Sequence, residues 1–418
     1  MMTSNTDDLD AIVVGAGWAG LGMSYYLAQA GLRHRVLERR RIGETWRSQR
    51  WDAFRMNTPN WGTVMPGDRY DGLDPDGFMT RDEFVTLLED FATRNRLPVE
   101  TNTPVSELSL DEERGAYRLD TPRGVLWARN IVIASGSLNR PRRPAMSREL
   151  PSHLLQLDAC DYRNPGALSA GAVLVVGSAQ CGGQIAEDLA QAGRPVFLAT
   201  GRVGRMPRRY RGRDIVFWLR NSGLFDVPRK DFLDPSGRIM GRPLLGVGHT
   251  VSLQSLSAQG VVLLGRLTGV ENGERLSFAA GLEENIRFGD ESSAQFKRHI
   301  DDYIVRAAID APAAEDDPDE IITPRLPDPP IRSLDPAEHS ISTVIWCTGF
   351  DGDFGWMRVP GALDARGQPV HEEGISIQPG LCFAGMDFAV TRKSGTLLSL
   401  AEEGPRLINH LVERHAKN

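Results

Sequence analysis

The chain has 418 residues and a formal net charge of -7, with 41% hydrophobic and 25% charged residues. This length predicts about two to three domains with enough apolar sequence for stable cores. The acidic balance argues against a nucleic-acid partner, because phosphate contacts need a basic face.

Several sequence features indicate the cellular location of the protein and argue against disulfide and metal sites. No apolar run approaches the ~20 residues of a membrane span, so no membrane partner is expected. Residues 1–10 are polar and acidic, whereas a secretion signal starts basic and then apolar. The four cysteines include no Cys-x-x-Cys pair, and the eight histidines lack metal-ligand spacing. We therefore expect a cytoplasmic protein with neither a disulfide framework nor a metal site.

The stretch 10–38 has the order strand, glycine turn, helix and strand of a dinucleotide-binding unit. Gly15 permits the tight turn, Gly17 lets the backbone approach a pyrophosphate, and Gly20 lets the helix pack close to the strand. Glu38 ends the second strand about 20 residues on, where a carboxylate accepts hydrogen bonds from a ribose diol. The stretch therefore predicts a dinucleotide site, with the free amides of the helix N-terminus facing the anion.

The loop after Glu38 is rich in arginine and tryptophan. Trp46 and Arg47 either cover the pyrophosphate or adenosine, since a guanidinium pairs bidentately with phosphate, or belong to a solvated basic loop. Asn57 follows in a mixture of aromatic and amide residues before Pro59, which suits a pocket wall. An Asx turn ahead of Pro59 is the other interpretation of Asn57.

Apolar patterns predict separate strands at 125–127 and 130–134, the second ending in Ser135 and Gly136. Prolines at 141 and 144 then break the chain, which favours a crossover to another domain.

A second unit of the same kind follows, with a strand at 172–176, a turn at 177–182 and a helix at 183–192. Its middle glycine is replaced by Ala179, whose methyl group should weaken or displace pyrophosphate binding. The next strand ends in Thr200, Gly201 and Arg202 instead of an acid. Because arginine pairs with a 2'-phosphate that a carboxylate would repel, this substitution favours NADP over NAD. The alternative for the arginine-rich run 202–213 is a solvated face.

The C-terminal third predicts three further features. The pattern predicts an amphipathic helix over 293–309, followed by a proline-rich, acidic surface loop over 311–336. A strand then leads into a small-residue turn at 347–350. Finally, Ser394 and Gly395 should open a helix that Gly404 and Pro405 interrupt, with its N-terminal amides available to an anionic ring edge.

These motifs together resemble the flavoproteins with two dinucleotide-binding domains, and among them the single-component flavin-containing monooxygenases. The similar segments cover nearly the whole chain and are 15–20 with Glu38, 43–47, 56–59, 134–136, 177–182, 347–350 and 392–395. The resemblance implies an α/β fold of two Rossmann-like domains, with an NADPH domain (151–335) inserted between the two parts (1–150 and 336–418) of an FAD domain.

By the same resemblance, the first unit binds FAD, the second binds NADPH, and Asn57 matches the asparagine near the oxygen-reactive carbon of the flavin. The predicted catalytic residue is therefore Asn57. The predicted cofactor contacts are Gly15, Gly17, Trp18, Ala19, Gly20, Glu38, Arg39, Trp46, Arg47, Asn57, Val105, Ser135, Gly136, Gly177, Ser178, Ala179, Gln180, Gly182, Thr200, Arg202, Arg208, Gly349, Ser394 and Gly395.

The function implied is an NADPH- and O2-dependent monooxygenase that oxygenates a soft nitrogen or sulfur centre of a small molecule through a flavin C4a-hydroperoxide. Asp158 stands where the family signature has a histidine. Two alternatives stay open: a flavin NADPH oxidase or reductase that releases hydrogen peroxide, and a non-catalytic FAD-binding sensor. The oligomeric state is also open, with a homodimer as one option.

Overall fold

The computed structural model describes residues 9–233 and 241–417. Most of the polar start on which the absence of a secretion signal was predicted, residues 1–8, lies outside these ranges. The strands in the described ranges are β1 (Leu9–Val14), β2 (His34–Leu37), β3 (Val99–Glu100), β4 (Glu107–Asp111), β5 (Ala116–Thr121), β6 (Gly124–Ile133), β7 (Arg140–Pro141), β8 (Leu155–Asp158), β9 (Ala172–Val176), β10 (Val196–Ala199), β11 (Arg209–Tyr210), β12 (Arg213–Asp214), β13 (Val262–Leu264), β14 (Leu267–Glu271), β15 (Arg275–Phe278), β16 (Ser333–Leu334), β17 (Ile341–Trp346), β18 (Phe350–Asp351), β19 (His371–Glu372), β20 (Ile375–Ser376) and β21 (Leu381–Phe383).

The α-helices in the same ranges are α1 (Trp18–Gln29), α2 (Glu44–Ser48), α3 (Arg81–Arg94), α4 (Gln180–Gln191), α5 (Ile215–Asn221), α6 (Leu253–Ala258), α7 (Leu282–Arg306) and α8 (Leu400–Lys417). None of them is both long and apolar enough to cross a bilayer.

The first main sheet joins both ends of the chain. Its order is β19-β20-β21-β6-β1-β2-β3, and β4 and β5 extend from β6 as an antiparallel meander. The central pairs β21–β6, β6–β1, β1–β2 and β2–β3 are parallel. Helix α1 connects β1 to β2 and packs beside α8, so the first glycine turn lies at the carboxyl end of β1, where parallel sheets bind ligands.

The second main sheet has the order β13-β10-β9-β17-β8 and all of its pairs are parallel. Helix α4 connects β9 to β10, which repeats the arrangement of the first unit. The predicted α/β fold with two dinucleotide-binding units is therefore confirmed. Since β17 (Ile341–Trp346) pairs between β8 and β9, this strand belongs to the second sheet although it follows the predicted domain boundary at residue 335.

Three predicted elements have wrong boundaries. The strands predicted at 125–127 and 130–134 form the single strand β6, because no glycine or proline interrupts them. The helix predicted over 293–309 spans Leu282–Arg306, since buried Ile286 and Gly289 extend its apolar face towards its N-terminus. The last helix begins at Leu400 rather than at Ser394, and Pro405 lies inside it. Pro405 is the sixth residue of this helix, so the helix lacks the N–H that would donate to the carbonyl oxygen of Ala401.

Candidate functional site

The two glycine turns have matching geometry. Gly15 has φ +107°, and a Cβ there would lie 2.5 Å from the carbonyl oxygen that follows β6. Gly177 has φ +106°, and a Cβ there would lie 2.5 Å from the carbonyl oxygen that follows β17. A Cβ at Gly20 or Gly182 would lie 1.9 Å or 1.7 Å from the carbonyl oxygen of the first glycine of the same turn. The backbone itself therefore requires glycine at all four positions.

The middle position of each turn behaves differently. Gly17 has φ -84° and ψ -171°, and Ala179 has φ -76° and ψ -169°, which are conformations open to any residue. A Cβ at Gly17 would find no protein atom within 4 Å. Since the protein requires no glycine there, the empty space suits a group bound against the backbone. In the second unit the Ala179 methyl group stands at this position.

Both helix N-termini beside these turns can accept an anion. No side chain caps the first turn of α1, beginning at Trp18, or that of α4, beginning at Gln180, among the described residues. Their free amide N–H groups and the positive ends of the helix dipoles point to the turns. The residues present therefore fit the diphosphate of a dinucleotide in both units.

Glu38 is the buried end of β2. Its Oε2 accepts a hydrogen bond from the amide of Ala16 at 2.8 Å, and its Oε1 accepts one from the amide of Arg40 at 2.9 Å. Its carbonyl oxygen accepts from the amide of Thr103, and Val105, two residues further along the chain, is partly buried against the core. The Arg39 side chain is exposed beside it. The carboxylate is thus held in place beside the turn, with its direction set by two backbone donors.

The tryptophan and arginine of the following loop have protein partners. Trp46 packs edge-on against Phe84 of α3, with ring centroids 4.9 Å apart. Arg47 forms an ion pair with Glu89 of α3 at 2.5 Å and donates to the carbonyl oxygen of Ile42 at 3.3 Å. These contacts attach the loop to α3, and contact of Trp46 or Arg47 with a cofactor stays a prediction.

Two buried polar atoms near the first turn have no hydrogen-bond partner among the described residues: Nε1 of Trp18 and Oγ of Ser135. Ser135 precedes Gly136 (φ +88°) at the end of β6, as Thr348 precedes Gly349 (φ +99°) at the end of β17. Buried polar groups in proteins are normally paired, so these two atoms fit a bound polar molecule. Trp18 also lines a cavity of about 320 Å³ between α1, the segment 61–68 and the start of α8.

The end of β10 lies beside the second glycine turn. Oγ of Ser178 accepts a hydrogen bond from the amide of Gly201 at 3.1 Å, which ties the glycine turn to this strand end. Oγ1 of Thr200 donates to the carbonyl oxygen of Leu264 at 2.7 Å and accepts from Asn285 at 3.0 Å. Both hydroxyl groups therefore brace the backbone around Arg202.

Arg202 is an exposed cation in a defined position. Its guanidinium carbon lies 4.4 Å from the centre of the Phe288 ring on α7, and the described residues include no ion pair for it. A cation–π contact of this kind orients an arginine without neutralising its charge. Phe288 was not predicted, because the sequence gives no sign that α7 packs beside the end of β10.

The other arginines of this run are mostly paired, and the prediction of a solvated face is wrong for the two buried ones, Arg205 and Arg208. Arg205 is 5% exposed and bonds to Asp290, Glu320 and Gln254 at 2.8, 3.1 and 3.2 Å. Arg211 pairs with an aspartate of α7 at 2.6 Å. The acidic loop supplies Glu320, so opposite charges from distant segments neutralise each other here.

Arg208 is 1% exposed and joins the two nucleotide units. Its Nε and Nη2 donate to Oδ2 of Asp214 at 2.8 and 2.6 Å, and its Nη1 donates to the carbonyl oxygens of Asn57 and Gly246 at 3.0 and 3.1 Å. Burial lowers the pKa of Arg208 and raises that of Asp214, while the opposite charge of each partner opposes the shift of the other. Because all three guanidinium nitrogens donate to protein acceptors, this geometry does not favour the predicted cofactor contact.

Asn57 lies where the two units meet. Its Oδ1 accepts a hydrogen bond from Nε2 of Gln184 at 3.0 Å, and its Nδ2 donates to Oε1 of Gln180 at 3.4 Å. Both of these side-chain bonds reach α4 of the second unit, which argues against the Asx turn ahead of Pro59. Gln184 was missed, because from the sequence it is only one polar residue of an amphipathic helix.

Ser394 and Gly395 form a tight turn five residues before α8, so no helix N-terminus begins there. Oγ of Ser394 accepts from the amides of Val390 and Thr391 at 2.9 and 3.0 Å and donates to Glu403 at 2.6 Å. Burial raises the pKa of Glu403. The predicted helix-terminus site is wrong, and a direct contact of these residues with a cofactor stays a prediction.

The profile of the pyridine nucleotide-disulphide oxidoreductase family matches residues 12–220, half of the 418-residue chain. The chain belongs to this family. The match spans both glycine turns, Asn57 and the arginine run of the second unit, and it establishes the oxidoreductase class that the sequence motifs predicted.

The relatives similar to this chain include an uncharacterised CzcO-like oxidoreductase of Geobacillus kaustophilus (strain HTA426). It is 29% identical over 406 residues, which cover 97% of this chain and 98% of the relative. A solved flavin-containing monooxygenase from Stenotrophomonas maltophilia superposes with a TM-score of 0.66 at 16% identity, covering 98% of this chain and 100% of that one. DfoA, a cadaverine monooxygenase from Erwinia amylovora solved with FAD, gives 0.62 at 16% identity and covers 97% and 95%. The fold shared with these structures confirms the fold that the resemblance to flavin-containing monooxygenases implied.

Proposed function

We propose that this protein is an FAD-dependent NADPH monooxygenase that transfers one oxygen atom from O2 to a soft nitrogen or sulfur centre of a small molecule. In the balanced reaction, substrate, O2, NADPH and a proton give the oxygenated product, water and NADP+. The observation that carries the proposal is the position of Asn57. This residue follows the first glycine unit in the chain, and its side chain contacts the N-terminal half of α4 in the second unit.

The chain's own groups would bind and orient the two cofactors. The turn at Gly17 and the amides of α1 would hold the diphosphate of FAD, Glu38 would accept from its ribose, and the turn at Ala179 with Arg202 would hold NADPH. FAD and NADPH supply the hydride transfer and the oxygen activation when bound. The amide of Asn57 needs no titrating group to act there, since it donates or accepts a hydrogen bond.

We also propose the domain division 1–150, 151–335 and 336–418. The pairing of β17 with β8 and β9 favours moving the second boundary, where the chain returns to the first domain, to about residue 347. We likewise propose a cytoplasmic location.

The direct test measures NADPH oxidation, oxygen uptake and hydrogen peroxide with thioethers and tertiary amines as candidate substrates. A monooxygenase forms oxygenated product in proportion to the NADPH that is consumed. Peroxide equal to NADPH with every candidate would instead indicate an oxidase, and absence of NADPH turnover would indicate a sensor.

We expect Arg202→Ala to raise the KM for NADPH by about ten- to a hundredfold, because a charge-assisted contact with the 2'-phosphate is lost. The KM for NADH should stay almost unchanged. Initial rates with each nucleotide measure this preference. Arg209→Ala is the matched control, since Arg209 is also exposed and belongs to the same run. Equal weakening of NADPH and NADH would assign Arg202 a structural role instead.

We expect Asn57→Leu to keep FAD and to be reduced by NADPH, yet to release most of the consumed oxygen as hydrogen peroxide, because the polar group beside the reacting centre is lost. Peroxide formed per NADPH measures the effect, and Asn221→Leu, at the exposed end of α5, is the control. A variant as well coupled as the parent protein would exclude Asn57 from catalysis.

A further inference from the structure

Asn57 is held at both its side chain and its backbone by donors from the second unit. Nε2 of Gln184 donates to Oδ1 of Asn57 at 3.0 Å and also to the carbonyl oxygen of Leu245 at 2.8 Å. Nη1 of Arg208 donates to the carbonyl oxygen of Asn57 at 3.0 Å and also to that of Gly246 at 3.1 Å. Two different donors thus attach Asn57 to the same pair of consecutive residues, Leu245 and Gly246.

The segment that shares these donors is itself rigidly shaped. A Cβ at Gly246 would lie 2.2 Å from the carbonyl oxygen of His249, so this chain turn leaves no room for another residue type. Leu245 is 4% exposed. Gln184 and Gln180 are four residues apart on α4, a helix of 12 residues, and both side chains lie on the face that contacts Asn57.

This arrangement fixes the direction of the Asn57 amide. A glutamine Nε2 can only donate, so the atom of Asn57 that faces Gln184 is the oxygen. Nδ2 then faces Gln180 at 3.4 Å, a long contact that uses at most one of its two N–H groups. A second N–H of Asn57 is left to donate elsewhere.

We propose that Gln184 is a positioning residue that keeps the Asn57 amide oriented as a hydrogen-bond donor towards the reacting centre. This inference rests on the proposed monooxygenase function, in which Asn57 acts beside the flavin. Gln184 acts only through Asn57, and its position one turn after Gln180 connects the orientation of Asn57 to the glycine turn proposed to hold NADPH.

Two substitutions with opposite chemistry test the proposal in the flavin-loaded protein. Gln184→Met keeps the length of the side chain and removes the donor, and Gln184→Glu replaces the donor by an acceptor that would reverse the Asn57 amide. We expect unchanged FAD content and an NADPH KM within about twofold, with peroxide per NADPH rising about fivefold in Gln184→Met, as expected for one lost hydrogen bond, and further in Gln184→Glu. Gln191→Glu, at the exposed end of the same helix, is the control and should behave as the parent.

A thermal-unfolding cycle supplies a readout that does not depend on catalysis. Melting temperatures of the parent, Asn57→Leu, Gln184→Met and the double variant should be non-additive, because the two side chains share one hydrogen bond. Peroxide release in the double variant should equal that of Asn57→Leu alone. Additive melting shifts, or unchanged peroxide in folded Gln184→Met and Gln184→Glu, would overturn the positioning role.

Failure of the proposed function looks different. If the parent protein oxygenates no substrate and all NADPH ends as peroxide, the monooxygenase assignment fails and the positioning role falls with it, whatever the melting cycle shows. If the parent oxygenates and the Gln184 variants remain coupled, only the positioning role is wrong.

Discussion

Gly17→Val should give a folded, colourless protein. The backbone at this position accepts a side chain, since φ is -84° and Ala179 has nearly the same conformation in the second unit. No protein atom lies within 4 Å of the added Cβ, so the unliganded fold is expected to survive. The added carbon atoms would occupy the space that suits the FAD diphosphate.

The effect on FAD binding should be large. Overpacking costs about 1 to 3 kcal/mol, and loss of a charge-assisted amide contact costs about 1.5 to 3 kcal/mol. Together these reduce the FAD affinity by about a thousandfold. The ratio of flavin absorbance to protein absorbance after purification measures the loss, and circular dichroism with thermal unfolding verifies the fold.

Two further glycines serve as controls. Gly201→Val, in the second unit, also adds a side chain where no protein atom lies within 4 Å, and it should keep the flavin. Gly20→Ala would bring a Cβ to 1.9 Å from the carbonyl oxygen of Gly15 and should damage the fold itself. Full flavin retention in Gly17→Val would remove the basis for assigning FAD to the first turn.

The two nucleotide units could be predicted from sequence because their chemistry is local. Gly15 and Gly20 belong to the same strand–helix connection. Gly15 is favoured there by its φ of +107°, and Gly20 is required because a Cβ would lie 1.9 Å from the carbonyl oxygen of Gly15. The predicted strand, turn and helix therefore appear with boundaries shifted by only a few residues. The carboxylate of Glu38 was also predictable, since the spacing from the turn is fixed by one helix and one strand.

The pairing of charges could not be predicted in the same way. Arg205 pairs with Asp290 and Glu320, which are 85 and 115 residues away in the sequence, and no local sequence pattern predicts either contact. An arginine run and an acidic run, each considered alone, resemble solvated surface. Only the packing of α7 and the acidic loop beside the second sheet converts them into buried ion pairs.

Gln184, the hydrogen-bond partner of the candidate catalytic residue Asn57, could not be predicted from the sequence either. Asn57 and Gln184 are 127 residues apart and belong to different nucleotide units. Their contact depends on how the two units are docked, which Arg208 and the Leu245–Gly246 segment determine from the second unit. Sequence patterns specify each unit well and the interface between them poorly.

Arg208→Met should destabilise the second unit and its docking onto the first by about 3 to 5 kcal/mol, as removal of one partner from a buried ion pair does. Asp214 would remain as an uncompensated charge whose side chain is 2% exposed. The carbonyl oxygens of Asn57 and Gly246 would also lose a donor. The shift in the midpoint of urea unfolding, followed by tryptophan fluorescence because Trp218 lies in the adjacent core, measures the loss.

A matched surface pair separates burial from charge. Arg211→Met removes an arginine three residues away whose ion pair with Asp301 is partly exposed, so it should cost less than about 1 kcal/mol. The double variant Arg208→Met with Asp214→Leu should recover much of the stability, because no unpaired charge remains.

The loss of unfolding free energy in Arg208→Met, here called the stability deficit, should also depend on pH. The direction of this dependence follows from the pKa of Asp214. Burial already raises the pKa of this carboxyl, and loss of the Arg208 charge removes the main opposing influence. A carboxyl whose pKa is higher in the folded than in the unfolded state favours folding when it is protonated. The deficit should therefore be smallest at acidic pH, below the ordinary aspartate pKa, and grow as the pH rises through the folded-state pKa of Asp214. A normal unfolding midpoint with a selectively raised NADPH KM would instead make Arg208 a nucleotide contact.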